Sequence, residues 1–136
     1  MSVYVSKRGE SRAQFIDTAR ELEVYSLGYL KKFNKSDMFI ITKELVDLVK
    51  DVYNNVIRGN SIYVKYEEDL FLRRECFYKA YGSLRAFISQ LSIAKDFCNL
   101  DFKDSVWHKW MDLAEQELKL LKGVLEKDSL GFNPPR

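Results

Sequence analysis

The chain has 136 residues, 46% of them apolar and 31% charged, an ordinary globular mix long enough for one domain with one core. Its 22 basic and 20 acidic side chains leave a formal charge of +2, which excludes the global basic field of a typical nucleic-acid binder and confines any such binding to a local patch. Glycine is sparse and both prolines, Pro134 and Pro135, lie at the tail, so an all-α protein is expected.

Residues 1–10 read as an N-terminal arm, with Ser2 to Val5 able to extend and Ser6 to Gly9 breaking the pattern. Ser11 is the expected N-cap of a first helix over about 11–33. Its seam is Phe15, Ala19, Leu22, Ser26, Tyr29 and Phe33, widened by Ile16 and Leu30. The turn from Phe33 to Ser36 is short enough to make the next helix an antiparallel neighbour. That second helix spans about 36–58, capped by Ser36 or Asp37, with Ile41, Leu45, Leu48, Val49, Val52 and Val56 on one face. Gly59 and Asn60 are its expected C-cap. Residues 61–65 are β-prone but read as a crossing loop.

The third helix, over about 66–98, has the strictest pattern. Leu70, Phe77, Leu84, Leu91 and Cys98 fall seven apart, and Ala80, Phe87 and Ala94 fall seven apart between them. Glu67, Glu68 and Asp69 suit the dipole of its first turn. One step back along the second series stands Arg73, beside Arg74, so the seam fails at its mouth. The turns from Leu70 to Arg74 are therefore expected to project past the other helices or face a neighbour. The fourth helix spans about 104–127 on a seam of Trp107, Met111, Ala114, Leu118, Leu121 and Leu125, followed by a flexible tail, 129–136. Four long helices with short loops predict an antiparallel up-down-up-down four-helix bundle over 11–128, with no internal repeat or second domain.

The chemistry of an enzyme is absent from the pattern. His108 is the only histidine, and no glycine-rich phosphate loop, Cys-x-x-Cys or Glu-x-x-His pair occurs. A di-iron bundle needs two Glu-x-x-His pairs, so that version is ruled out. No catalytic residue, metal or cofactor is expected. Cys76 and Cys98 lie about 33 Å apart along one helix and cannot pair within the chain. No secretory leader pattern or membrane-length apolar run is present, so a cytoplasmic protein is expected.

Binding is better supported. On a helical wheel Arg74, Tyr78, Tyr81 and Arg85 fall within about 60° of one another, on a flank away from the seam, continued by Ser89 and Ser92. Basic residues interleaved with tyrosines suit phosphates and stacked bases. They equally suit a protein interface, or a solvated face of snorkelling side chains. Lys7, Arg8 and Arg12 form a second basic group, where a helix start does not favour positive charge. Phe71, Phe97, Phe102, Tyr53, Tyr63 and Trp110 lie off the inner seams. This surplus of aromatics predicts a homo-oligomer.

Ser6 to Ser11, Ala19 to Leu22 with Tyr25, Asp51 to Tyr53, Asn60 to Ile62, Arg73 and Arg74, and Leu91 to Lys95 form a set of stretches spread along the chain. Together they resemble the accessory variability determinant (Avd) proteins of diversity-generating retroelements. The pattern covers most of residues 6–121. The wider superfamily includes four-helix bundles encoded within intervening sequences of large-subunit ribosomal RNA genes. The resemblance implies a barrel-like homopentamer that is non-catalytic, binds the retroelement reverse transcriptase and nucleic acid, and supports mutagenic copying of a template RNA. By position it assigns Arg73, Arg74 and Arg85 to the basic surface of helix three and adds Arg58 near the end of helix two. The chain departs from the family in charge: it is nearly neutral, with acidic residues Asp112, Glu115, Glu117 and Glu126 on helix four. That lowers the expected direct affinity for RNA or DNA and leaves the protein–protein role intact. The alternative is an oligomeric bundle of the intervening-sequence type whose partner is not a polymerase.

Overall fold

A computed structural model describes the backbone of residues 7–98 and 100–131, and the side chains of residues 14–37, 39–98 and 100–127. Among the described residues the chain is all-helical, with no strand. Helix α1 spans Lys7–Leu30. Helix α2 is built of three successive segments: a turn Lys35–Asp37, a π-helical turn Met38–Thr42 and the α-helix Lys43–Asn60. Helix α3 spans Glu67–Phe97 and α4 spans Asp104–Gly131. Each helix packs on two others, α1 on α2 and α4, and α3 on α2 and α4, closing a ring around one core. The all-α helical bundle expected from the seams is therefore present.

The helix ends differ from expectation in instructive ways. α1 begins at Lys7, not at Ser11, so residues 7–10 of the expected arm are helical, and residues 1–6 lie outside the described residues. No proline stands in the way, Gly9 costs only about 1 kcal/mol, and lengthening a nucleated helix is cheap. At the other end, Lys32 N–H bonds Tyr29 O at 3.0 Å and Phe33 N–H bonds Leu30 O at 3.1 Å. These three-residue bonds tighten the last turn, and α1 stops before Phe33, which is nevertheless buried. α2 continues through Gly59 and Asn60, and its C-cap is Ser61, whose N–H bonds Ile57 O and Arg58 O. Gly59 is helical; what it provides is room, because a methyl there would run into the Phe77 ring. α4 continues to Gly131, beyond the expected end. Residues 132–136 of the expected tail lie outside the described residues.

The α3 seam is buried throughout, from Leu70 through Phe77, Ala80, Leu84, Phe87, Leu91 and Ala94 to Cys98. Leu70 is itself buried, so the start of α3 lies against the bundle and does not project. Residues 61–66 form a loop, as expected. The start of α3 is held by Asp69, whose carboxylate accepts the backbone N–H groups of Tyr66 at 2.9 Å and Lys65 at 3.0 Å. These bonds to Tyr66 and Lys65 hold its carboxyl below the usual range.

The fourth helix corrects the expected seam. Trp107, Ala114 and Leu121 are buried as read, but the positions between them are Trp110 and Glu117, both fully buried, while Met111 and Leu118 are only half-buried. Two seams pass through Trp107, Ala114 and Leu121, and they differ by a small rotation of the helix. The indole of Trp110 decides between them. It stacks on Trp107 at 5.5 Å, and its Nε1–H donates to Ser26 Oγ at 2.8 Å. Tyr25, Tyr29, Phe33 and Phe102 complete an aromatic cluster around this pair, and Tyr25 OH donates to Val106 O at 2.8 Å. Burial, with Tyr29 beside it, pushes the Tyr25 phenol up. Trp110 is thus a core residue, not surplus surface, and Phe102 and Tyr53 are half-buried against the core.

Candidate partner-binding face on helix three

The flank read from the helical wheel exists as a surface. Tyr78 is 53% exposed, Arg85 is exposed and Tyr81 is half-buried. The Arg74 guanidinium lies 5.4 Å from the Tyr78 ring centre, and its Nη2 donates to Tyr78 OH at 3.0 Å. Arg85 lies 6.0 Å from the Tyr81 ring centre. Spacing of four residues in each case puts arginine and tyrosine on one stripe. Exposed cation–π pairs of this kind contribute about 0.5–1 kcal/mol each, and they hold guanidinium groups in fixed positions at the surface. Phe71, 58% exposed, extends the stripe toward the helix start, with Leu72, Tyr63 and Tyr66 exposed close by in sequence.

Not every candidate joins that stripe. Arg73 is half-buried in line with the seam, and both Arg73 and Arg74 are engaged within the chain. Arg58 is exposed in the last turn of α2, next to the Gly59–Phe77 contact. The side chains of Lys7, Arg8 and Arg12 lie outside the described ones; their backbone belongs to α1. His108 is exposed. Cys98 is buried, Cys76 is half-buried, and both are free. Burial, with Asp37 nearby, pushes the Cys98 thiol up to about 11.

A second surface escaped the sequence reading. Phe39 is 88% exposed and Ile40 is exposed beside it, while their neighbours Ile41 and Thr42 are buried. This stretch is π-helical, and Phe39 and Ile40 stand off the face of Ile41, Leu45, Val49, Val52 and Val56, which is buried as read. With Lys43, Glu44, Leu48 and Asp51 they line a shallow groove along α2. Asp51 also accepts a hydrogen bond from Ser83 Oγ, tying this groove to α3.

Among the described residues, no group of three or more His, Cys, Asp or Glu side chains is placed to hold a metal ion, and no helix is long and apolar enough to cross a membrane. Comparison with protein-family models, curated proteins and solved structures finds no match to this chain.

Proposed function

We propose that this chain is a non-catalytic, self-associating four-helix bundle that binds a macromolecular partner through the α3 flank of Arg74, Tyr78, Tyr81 and Arg85. The partner is the reverse transcriptase of a diversity-generating retroelement together with its nucleic acid, and the setting is the cytoplasm. The class of partner comes from the sequence resemblance. The observation that carries the surface is the pairing of guanidinium groups with exposed tyrosines on one stripe. Arginine and tyrosine are the side chains that anchor interfaces best, and the same pair serves phosphate and base. Up-down-up-down order is supported by the residue pairs between helices. Asp51 meets Ser83 while Gly59 meets Phe77, and Phe33 meets Phe102 while Ser26 meets Trp110. Exposed Phe39, Tyr63, Phe71 and Phe97 supply apolar surface for self-association into a homopentamer.

The near-neutral charge favours a second reading, an oligomeric bundle of the ribosomal intervening-sequence type with a non-polymerase partner. The genomic neighbourhood separates the two. The first requires a reverse transcriptase gene and a template/variable repeat pair close by, and their absence overturns it. Given such a gene, co-purification of its enzyme should fall at least tenfold for Arg73→Ala/Arg74→Ala/Arg85→Ala, with circular dichroism and oligomer mass unchanged. Arg85→Glu, at an exposed position, gives the same test without disturbing Arg73 or Arg74. Wild-type binding by both variants would reduce the stripe to a solvated face. Phosphate contacts, where they carry the binding, should weaken it steeply as salt rises.

A further inference from the structure

Glu117 lies at the centre of α4, between Ala114 and Leu121, with none of its surface exposed. Among the described residues it is the only Asp, Glu, Lys, Arg or His that is buried. Both carboxyl oxygens are shut off from solvent, and neither has a hydrogen-bond partner. α4 packs on α1 and α3, so these two helices close over it. On the register set by the Trp110–Ser26 bond, one heptad along α4 leads to Glu117 and one heptad back along α1 leads to Ala19, which has nothing to donate.

Among the described side chains, the titratable groups of α1 that are not fully exposed are Glu23, Tyr25 and Tyr29. On α3 they are Asp69, Arg73, Arg74, Cys76 and Tyr81, and the described side chains of α4 offer no other. None of them offsets the burial of Glu117, which alone pushes the carboxyl up to about 9. An isolated carboxylate in such a place is far costlier than the neutral acid.

We propose that Glu117 is a proton-operated latch: the bundle holds α4 against α1 and α3 most firmly while the Glu117 carboxyl carries its proton, and the hold loosens when the proton is lost. The latch is independent of which partner binds the α3 flank. Opening exposes Glu117 to water, where it releases the proton and becomes a solvated carboxylate. Between the ordinary carboxylate range and about pH 9 the closed chain therefore holds one proton more than the open chain. Stability falls as pH rises through this window and levels off above it, and the opening equilibrium shifts tenfold per pH unit within it.

The test is urea unfolding at fixed protein concentration at pH 6, 7 and 8, comparing wild type with Glu117→Gln and Glu117→Met. The wild-type unfolding constant should rise about tenfold per pH unit relative to either variant. A ratio independent of pH would overturn the proposal. Infrared spectroscopy of the wild type gives a readout that does not depend on a variant folding. At pH 7 solvated carboxyls are ionised, so one carboxylic-acid C=O stretch should persist in the folded protein and vanish on unfolding. Its absence from the folded protein would equally overturn the latch.

Discussion

Single side chains set the register of the core. Burying the Trp110 indole removes about 150–250 Å² from water, roughly 4–6 kcal/mol by area. Keeping Glu117 protonated at pH 7 costs about 3 kcal/mol against its ordinary carboxylate state, and sealing an unbonded carboxyl costs about 1–3 kcal/mol more. The two effects are of similar size. The stacking on Trp107 and the bond to Ser26 tip the balance toward the rotation that buries both residues. Gly59 is a second such position. Replacing it with Ala gains about 1 kcal/mol of helix propensity but forces the buried Phe77 ring to move, and overpacking costs typically 1–3 kcal/mol. Gly59→Ala should be destabilised by about 1 kcal/mol in urea unfolding, and Phe77→Leu in the same chain should recover part of the loss. A Gly59→Ala protein as stable as wild type would show that moving the ring costs no more than the helix propensity gained.

At the scale of elements, the start of α3 and the start of α2 are built by different means. α3 begins on Asp69, whose carboxylate takes up two backbone N–H groups that the helix leaves without partners. Its carboxyl is held below the ordinary range, so this stabilisation is present above that range and lost as pH falls through the folded value. Asp69→Asn should therefore melt below wild type at pH 7, with the difference shrinking in acid. A constant difference from pH 7 down to pH 2 would mean that the charge of Asp69 plays no part. α2 instead passes, after Lys35–Asp37, through a π-helical turn on which Phe39 and Ile40 are exposed. The strict heptads of α3 were legible because one period governs all of its 31 residues. The π-turn was not, because nothing in Met38 to Thr42 departs from an ordinary apolar helix face.

For the whole molecule, the feature that calls for explanation is apolar surface left outside the core. Phe39, Tyr63, Phe71, Phe97 and Tyr66 are each more than half exposed, at both ends of α3 and on the π-helical turn of α2. Singly exposed apolar side chains are normal, but this many large ones on so small a bundle are the surface that the proposed self-association would cover. Light scattering should give a particle of about five times the 16.0 kDa chain. A monomer would contradict both readings of function.

The all-α class, the number of long helices and the buried seam of α3 were determined by the sequence alone, because 3.6-residue periodicity is a local property that any packing must respect. The Arg–Tyr stripe of α3 followed from the same periodicity, since residues four apart share a face whatever the helix packs on. Tertiary structure alone decided which of two equivalent seams α4 presents. Met111 and Leu118 looked better than Trp110 and Glu117 on polarity, yet a seam is chosen by what the neighbouring helices can accommodate. The Ser26 hydroxyl and the aromatic rings of α1 accommodate an indole. Glu117, one heptad further along the same helix, is carried into the core with it.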